Sequence, residues 1–170
     1  MYLRIILTVG FAMHEQEAAD RSLQQQMDSF KEACRAADLK LTHQRLEIYR
    51  ELARANDHPS AETLHKRLQK GMPTLSLDTV YRTLATFARH HLVKKVQTVD
   101  SQAHYEAQMS QHHHVICDTC KEILDFNWRS FDASSVPEDL RQWGSIRNKN
   151  VTMHGTCRKC QAIKEGKKPA

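Results

Sequence analysis

The sequence predicts an α+β protein with two small domains, in which a helical domain closed by a β-hairpin precedes a smaller α/β domain. Three observations support this prediction. The chain has 170 residues, 40% of them hydrophobic, which suits two small cores. Apolar residues recur at helical spacing between residues 28 and 92. Strand-like stretches that carry paired cysteines then follow.

The first 27 residues are expected to lie outside the folded domains. The stretch MYLRIILTVGFAM resembles a signal peptide only loosely, because Arg4 interrupts it and its apolar run is short. We expect residues 1–27 to be a disordered N-terminal extension or the result of a mis-assigned start, with translation beginning at Met13 or Met27. We expect a cytoplasmic chain. No stretch of the sequence is long and apolar enough for a transmembrane helix, so no membrane partner is expected.

Helical spacing predicts four helices before residue 91. The apolar faces of the first two consist of Phe30, Ala33, Cys34 and Ala37, and of Leu46, Tyr49, Leu52 and Ala53. Ser60 and Ser76 are placed to cap the third and fourth helices, which we expect to end near Gly71 and His90. In the fourth helix the buried face consists of Leu77, Val80, Leu84 and Phe87, and the outward positions are Thr79, Arg82, Thr83, Thr86 and Arg89.

A β-hairpin is expected after these helices. The stretch LVKKVQTV (92–99) alternates, and AHYEA (103–107) can return across a turn at Asp100–Ser101. Short helices followed by a hairpin are typical of a winged helix-turn-helix domain, here 28–107, in which one helix enters the major groove of DNA. Residues 27–98 hold 13 Lys and Arg against 8 Asp and Glu. This surplus favours a polyanionic partner, although a solvated helical surface would also explain it.

We expect the fourth helix to contact DNA bases and the hairpin to contact the DNA backbone. The candidate DNA-binding residues are Ser76, Thr79, Tyr81, Arg82, Lys94 and Lys95. The two lysines would bind phosphates, which position a protein on DNA without reading its sequence.

Two pairs of cysteines in the C-terminal half have the spacing of a metal site. Cys117 and Cys120 form one CxxC pair, and Cys157 and Cys160 form the other. Four thiolates in this pattern are typical of a structural, tetrahedral Zn²⁺ site. Separate redox dithiols are the alternative, but neither pair opens a helix in a βαβ context. We interpret the remaining Cys34 as a small buried hydrophobe.

The run HHHVIC before the first pair offers ligands for a second site, because four sulfurs already complete the zinc shell. In a strand, His112 and His114 share one face and His113 points away. Surface histidines at a sheet edge are the plainer explanation. Three further donors could converge on this face: His58, Glu106 and Asp125. Nitrogen and oxygen donors without thiolate suit Fe²⁺, Mn²⁺ or Zn²⁺, and an ion that also held His58 would link the two domains.

These motifs, in their order and spacing, resemble the ferric uptake regulator family of metal-dependent repressors. The resemblance rests on LTHQRLEIYRELARANDHPSAETL, PTLSLDTVYRTLATF, HHHVICDTCKEILDF and HGTCRKC, and covers roughly residues 28–163. It implies a homodimer that binds a palindromic DNA operator, with a winged-helix domain and an α/β dimerisation domain (108–163) held by structural zinc. Residues 164–170 would form a basic tail.

The resemblance also implies roles for individual residues. The structural zinc ligands would be Cys117, Cys120, Cys157 and Cys160. The ligands of a regulatory Fe²⁺ or Mn²⁺ would be His58, Glu106, His112, His114 and Asp125. Tyr81 corresponds to a tyrosine that lies near bases in complexes of the family.

Two positions bear on what such a repressor would sense. Asp125 stands where the peroxide-sensing branch of the family has aspartate and the iron-uptake branch usually has glutamate. In the peroxide-sensing branch, bound iron(II) reacts with hydrogen peroxide and a ligating histidine is oxidised, which releases the metal and then the DNA; His58 and His112 match the sensitive positions. Glu106 stands where that branch more often has aspartate. We therefore expect peroxide sensing, with a response to iron or manganese levels as the alternative.

Many iron-uptake members bind an additional metal ion in the dimerisation domain. The matching positions here are Gln111, His113, Asp132 and Lys149. An amide and an ammonium group are poor replacements for histidine, and the ammonium repels a cation. We expect this additional site to be absent.

Enzymatic functions are less well supported. A zinc-dependent enzyme would need an open coordination position on the metal with a general base nearby, and the sequence contains neither HExxH nor HxE paired with PCxxC. A zinc-containing thiol oxidoreductase would need one exposed CxxC with a depressed thiol pKa. We therefore predict a regulator and not an enzyme.

Overall fold

The structure, a computed structural model, describes residues 2–96, 98 and 102–166, with side chains from residue 19 onward except that of Arg141. The chain divides into two compact units, the first ending at Met109 and the second beginning at Ser110. The predicted fold class is confirmed, since helices and a hairpin make the first unit and a small sheet with short helices makes the second.

Four helices and a hairpin make up the described part of the first unit. They are α1 (Tyr2–Ala36), α2 (His43–Arg54), α3 (Ala61–Leu68), α4 (Leu77–Arg89), β1 (Lys94–Val96) and β2 (His104–Glu106). Thr42, Ser60 and Ser76 cap α2, α3 and α4, each accepting a hydrogen bond from the backbone N–H group three residues further on. None of the described helices is long and apolar enough to cross a bilayer.

An aromatic cluster joins three helices at the centre of the first unit. The Phe30 ring of α1 stacks on Tyr49 of α2 with 3.7 Å between centroids, and Phe87 of α4 meets Phe30 edge-on at 5.0 Å. All three side chains are buried. This packing fixes α4 against the other helices and leaves its opposite face outward.

Helix α1 differs from the expectation for residues 1–27, because the segment is helical from Tyr2 onward. Residues 15–36 are mostly Glu, Gln, Ala, Leu, Met, Lys and Arg, which favour a helix. Met27 and Phe30 lie one turn apart and are both buried. Met27 therefore belongs to the core of the first unit and not to an extension.

Thr83 also differs from its expected outward position, since it is only 6% exposed. It lies three residues after Val80 and one before Leu84, at the edge of the buried face of α4. The apolar stripe is thus wide enough to include one hydroxyl side chain.

The hairpin is antiparallel, with Lys94 opposite Glu106 and Val96 opposite His104. Its second strand is tied to the start of α3 by a bridge between Ser60 and His104 and by the N–H group of Tyr105, which donates to the carbonyl of Pro59 at 3.2 Å. The expected turn at Asp100–Ser101 and part of the expected strand 92–99 lie outside the described residues.

The described part of the second unit contains a three-stranded sheet and three short helices. They are β3 (His113–Cys117), β4 (Ile123–Phe126), α5 (Arg129–Ala133), α6 (Glu138–Trp143), β5 (Thr152–Gly155) and α7 (Arg158–Lys164). Strand β3 is central, antiparallel to β4 and parallel to β5.

The parallel pairing of β3 with β5 brings the two CxxC pairs together. Parallel strands end at the same edge of a sheet, and Cys117 at the end of β3 is the register partner of Gly155 at the end of β5. The N–H group of Asp118 donates to the carbonyl of Gly155 at 2.7 Å and continues the pairing past the strand. Cys157 follows Gly155 by two residues, so both pairs emerge at one edge.

Candidate metal sites and DNA-binding surface

Four cysteine sulfurs gather at this edge of the sheet of the second unit. The sulfurs of Cys117, Cys120, Cys157 and Cys160 all lie within 4.8 Å of one another. The Sγ atoms of Cys120 and Cys157 are 3.7 Å apart. Four sulfurs bound about 2.3 Å from a central zinc would be roughly 3.8 Å apart, so the cluster fits a tetrahedral structural Zn²⁺ site.

The surroundings of Cys117 favour its thiolate form. Backbone N–H groups of Cys120 and Cys157 lower the pKa of the Cys117 thiol to about 6, and the N–H group of Cys157 lies 3.3 Å from its sulfur. Burial raises the pKa of the Cys160 thiol to about 12. A metal ion bound here would have to displace the proton of Cys160, which zinc does readily because its thiolate bonds are strong.

A second group of donors lies on one face of the same sheet. The Nε2 atoms of His112 and His114 are 3.1 Å apart, and Asp125 Oδ1 lies 3.9 Å from the first and 3.4 Å from the second. Two ligands of one ion are about 3 Å apart when each bond is about 2.1 Å long, so this spacing suits shared coordination. Both histidines are buried, and Asp125 is 35% exposed.

A backbone carbonyl fixes the protonation of His112. Nδ1 of its ring lies 2.9 Å from the carbonyl oxygen of Ser110. A carbonyl oxygen only accepts, so Nδ1 carries the proton and the lone pair of a neutral ring lies on Nε2. His112 is therefore held in the tautomer that a metal ligand needs.

His113 has the opposite tautomer. The backbone N–H group of Val151 donates to its Nδ1 at 3.1 Å, so in the neutral ring the proton lies on Nε2, which faces Asp132 Oδ1 at 3.2 Å. His113 is fully buried and points away from its two neighbours, as expected from strand alternation. Its Nε2 can bind a metal only after losing a proton.

Polar groups of this chain surround His113. The Gln111 amide donates to Asp132 Oδ1 at 2.6 Å and to the carbonyl oxygen of Lys149 at 3.1 Å. The Lys149 ammonium donates to the carbonyl oxygens of Phe131 and Ser134, and it lies 5.2 Å from the Phe131 ring centre. The amide and the ammonium therefore surround His113 with hydrogen bonds to Asp132 and to backbone carbonyls.

Two of the predicted regulatory ligands lie in the first unit. His58 Nε2 and Glu106 Oε2 are 3.1 Å apart, and both side chains are buried. His58 has a positive φ of 47°, a conformation that costs a histidine strain and is favoured only by its surroundings. Its carbonyl oxygen accepts a hydrogen bond at 2.6 Å from Nδ1 of His104, which supports the backbone there.

Glu106 has a second charged neighbour. Lys94 Nζ lies 3.7 Å from Glu106 Oε1, so one carboxylate oxygen faces a lysine and the other faces His58. Lys94 was expected to contact DNA, and in the structure its side chain is 30% exposed and paired across the hairpin.

The outward face of α4 carries the candidate DNA-reading residues. Arg82 is 80% exposed in its side chain and forms an exposed pair with Asp78 at 3.6 Å. A polar recess of about 310 Å³ lies beside it, lined by Thr42, Gln44, Arg45, Thr79, Arg82, Thr83 and Thr86. The start of α2 contributes to this recess, and helix N-termini favour phosphate. Ser76 serves mainly as the cap of α4, since its Oγ accepts from the N–H group of Thr79 at 3.2 Å.

Tyr81 is exposed on α4, but its hydroxyl is already bound. It donates a hydrogen bond to the carboxylate of Glu62 on α3. Of the DNA-binding candidates on the hairpin, Lys95 is exposed.

Sequence reasoning missed two residues that shape these sites, His104 and Ser110, and it missed the pairing of Lys94 with Glu106. His104 supports His58 from the neighbouring strand, Lys94 faces Glu106, and Ser110 fixes the tautomer of His112. Alternation places Lys94 and Glu106 on facing strands, but it does not set the register that makes them partners. The Ser110 contact uses a backbone carbonyl, for which no side-chain pattern exists.

A winged-helix unit with an exposed cationic helix, followed by a unit with thiolate and imidazole–carboxylate clusters, defines a metal-responsive transcription regulator. The chain belongs to the ferric uptake regulator family, whose sequence profile matches residues 36–144. The predicted resemblance to this family is confirmed. Members of the family are transcriptional regulators that bind DNA as dimers.

Individual relatives agree with this assignment. The chain is 28% identical over 148 residues to the peroxide-responsive repressor PerR of Staphylococcus epidermidis, covering 86% of this chain and 95% of that protein. The ferric uptake regulator of Helicobacter pylori shares its fold, with a TM-score of 0.67 at 23% identity over 82% of this chain and 93% of that one. The manganese-containing ferric uptake regulator of Pseudomonas aeruginosa matches with a TM-score of 0.61 at 26% identity, covering 76% and 98%.

Proposed function

We propose that this regulator is a metal-dependent repressor that senses hydrogen peroxide through iron(II)-catalysed oxidation of a histidine that holds the metal. The observation that carries the proposal is the state of His112. Its Nδ1–H group donates a hydrogen bond to the carbonyl oxygen of Ser110, and its Nε2 lone pair faces His114 and Asp125. A neutral imidazole fixed in this way is ready to bind a metal ion.

The proposed regulatory site combines both groups of donors. Its ligands are His58, Glu106, His112, His114 and Asp125. Imidazole and carboxylate donors without thiolate suit Fe²⁺ or Mn²⁺. The four-cysteine cluster would bind zinc. The spacing of 3.1 Å recurs in each unit, between His58 and Glu106 in the first and between His112 and His114 in the second. One ion bound by ligands from both units would couple metal occupancy to DNA binding.

We further propose a homodimer on a palindromic operator. Val115 of the central strand lies between its register partners Leu124 and Met153, which are 64% and 39% exposed. An apolar row across a sheet suits a second copy, and a two-fold dimer places two reading helices on symmetric half-sites. Because a repressor acts on the DNA of its cell, we place it in the cytoplasm.

The proposed chemistry adds one oxygen atom to a ligating histidine. Iron(II), when bound, would supply the redox chemistry that activates peroxide. Overall, a ring C–H bond is replaced by a bond to one peroxide oxygen, the other oxygen leaves as water, and the two electrons lost by the ring reduce the peroxide. His58 and His112 are the proposed targets. The oxidised ring is a poorer donor, so the site loses a ligand and the metal is released.

Peptide mass spectrometry tests this proposal. Protein loaded anaerobically with iron(II) receives a brief hydrogen peroxide pulse, and fragment ions then locate any added oxygen. We expect one oxygen on His58 or His112, together with loss of operator binding. His113 is an internal control in the same peptide, since its tautomer keeps it from the ion, and manganese-loaded protein is a second control that should stay unmodified.

A repressor that responds to iron or manganese levels is the second candidate. Glu106 favours it, since the longer carboxylate departs from the aspartate of the peroxide-sensing branch. Unmodified histidines with iron bound at the site would support this candidate and overturn peroxide sensing. Metal-titrated operator binding would then measure the response directly.

A further inference from the structure

We propose that Lys94 exchanges partners when metal binds, pairing with Glu106 in the metal-free chain and with the DNA backbone in the metal-bound one. The inference rests on the proposed function, because it assigns Glu106 to the regulatory ion. It concerns residues of the first unit. Within that unit, it couples metal binding at Glu106 to the contact of Lys94 with the DNA backbone.

The hairpin sets the two side chains opposite each other. Lys94 and Glu106 are register partners on β1 and β2, and partners on one face of an antiparallel pair have neighbouring Cβ atoms. Lys94 Nζ lies 3.7 Å from Oε1, while His58 Nε2 lies 3.1 Å from Oε2. The lysine and His58 therefore face different oxygens of one carboxylate, and a metal ion held by His58 and Glu106 would lie close to the ammonium.

Burial explains why the carboxylate takes a lysine as its partner. Glu106 is 6% exposed, and a buried carboxylate needs a compensating charge. The Lys94 ammonium supplies it. A divalent ion on Glu106 would supply more positive charge and would repel the ammonium, so the two cations compete for one carboxylate.

The Lys94 side chain can leave Glu106 and reach solvent. Its side chain is 30% exposed, and four flexible methylene groups let the ammonium reach solvent. It lies on the wing, which in winged-helix proteins touches the DNA backbone. Metal binding would thus add one cation per chain to the DNA-binding surface. By linkage, DNA phosphate that holds Lys94 would raise the metal affinity by the same factor.

Lys95 provides a matched comparison. It is the next residue on the same strand, carries the same charge and is exposed. Its register partner is Tyr105 and not a carboxylate, and no ion pair of Lys95 occurs among the residues described. Removing its charge tests for general electrostatic effects without touching Glu106.

The experiment compares zinc-replete Lys94→Gln and Lys95→Gln proteins with the wild type. Titration calorimetry measures Mn²⁺ affinity without DNA. Fluorescence anisotropy measures binding, with and without Mn²⁺ and at several salt concentrations, to a duplex selected from a random library by the manganese-loaded wild type.

We expect Lys94→Gln to raise the Mn²⁺ affinity of the free protein by about 5-fold or more and to shrink the manganese-induced gain in DNA affinity. In the wild type, manganese should steepen the salt dependence by about one unit of slope per chain, and Lys94→Gln should lose that increment. Lys95→Gln should weaken DNA binding equally with and without manganese and leave Mn²⁺ affinity unchanged. Lys94→Arg, which keeps the charge, should retain most of the gain.

Two results would overturn the partner exchange alone. One is an unchanged Mn²⁺ affinity in Lys94→Gln. The other is an equal change of the measured affinities in Lys94→Gln and Lys95→Gln. Both results count against the exchange provided that manganese still promotes DNA binding by the wild type. If manganese does not promote DNA binding by the wild type, the proposed function fails and the inference fails with it.

Discussion

The hydroxyl of Tyr81 donates a hydrogen bond to the carboxylate of Glu62, joining the exposed face of α4 to the first turn of α3. This bond lowers the pKa of Glu62 to about 2 and raises the pKa of Tyr81. A tyrosine that resembles a base-contacting residue thus has its polar atom engaged within its own unit. Its ring remains available to DNA.

The pKa of Glu62 should depend on this hydroxyl. Because the folded pKa lies below the ordinary value of 4.5, the bond stabilises the fold above that pH, and the contribution is lost as pH falls towards 2. Tyr81→Phe should return the pKa of Glu62 towards 4.5 and weaken stability near neutral pH. Carboxyl-carbon NMR titration measures this, with Asp57, which pairs with Arg67, as an unaffected reference. An unshifted Glu62 would contradict the assignment.

Operator binding separates the ring of Tyr81 from its hydroxyl. Tyr81→Phe should reduce DNA affinity by less than about 3-fold, whereas Tyr81→Ala should reduce it by about 10-fold or more, as loss of a base contact does. Anisotropy titrations at constant salt compare the two variants. Equal losses would show that the hydroxyl leaves Glu62 to contact DNA.

Zinc content should depend on the cysteine cluster alone. Cys157→Ser should lower bound zinc from one ion per chain towards zero and unfold the second unit, because structural zinc supplies folding free energy. Cys34→Ser, in the core of the first unit, should keep its zinc. Elemental analysis with thermal unfolding distinguishes them. Zinc retained at full occupancy in Cys157→Ser would place the ion elsewhere.

His112 and His113 should differ sharply although they are adjacent. His112→Ala should weaken Mn²⁺ binding by about 100-fold or more and abolish the metal-dependent DNA response, with zinc unchanged, because it removes a preset ligand. His113→Gln should keep the metal affinity and lower the unfolding temperature instead. Calorimetry and elemental analysis test both variants. A metal-responsive His112→Ala protein would refute the assignment of the regulatory site.

The logarithm of the DNA affinity should fall linearly with the logarithm of salt concentration, since phosphate contacts release counterions. Arg82→Ala should reduce the slope by about one unit per chain. Arg67→Ala is the control, because this arginine of α3 is paired with Asp57 at 2.5 Å. A flat salt response, or equal slopes in both variants, would argue against α4 as the DNA surface.

Lys149 should act as a structural group in place of a metal ion. Lys149→Met removes its bonds to two carbonyls and its contact with Phe131, and should destabilise the second unit by about 1–3 kcal/mol. Lys159→Met, at an exposed pair with Glu122, should cost less than about 0.5 kcal/mol. Thermal unfolding compares them, and metal content should be equal. Loss of a bound ion in Lys149→Met would contradict the interpretation.

Spacing predicted those features whose chemistry lies in the side chains themselves. The two CxxC pairs can form one metal site once two strand ends meet. The caps at Ser60 and Ser76 are predicted by local sequence alone. Alternation also separated His113 from its neighbours. These predictions succeeded because strand and helix periodicity fixes side-chain direction.

The remaining features depend on tertiary structure. Thr83 is buried because the core covers a wider part of α4 than the apolar residues indicate. The pairing of Lys94 with Glu106 depends on hairpin register, which one residue of slip would invert. The tautomers of His112 and His113 depend on backbone groups at Ser110 and Val151, whose placement follows from the whole sheet.

The parallel pairing of β3 and β5 also sets an order of assembly during protein synthesis. The ribosome makes the whole winged-helix unit and the first cysteine pair before it reaches Thr152, where β5 begins. Domains tend to fold as their N-terminal residues emerge, so the DNA-binding unit can form while Cys157 and Cys160 are still unmade. Zinc can be captured by all four sulfurs only after translation has passed Cys160. A nascent chain that stops before Cys157 would contain the DNA-binding unit without the four-cysteine cluster of the second unit.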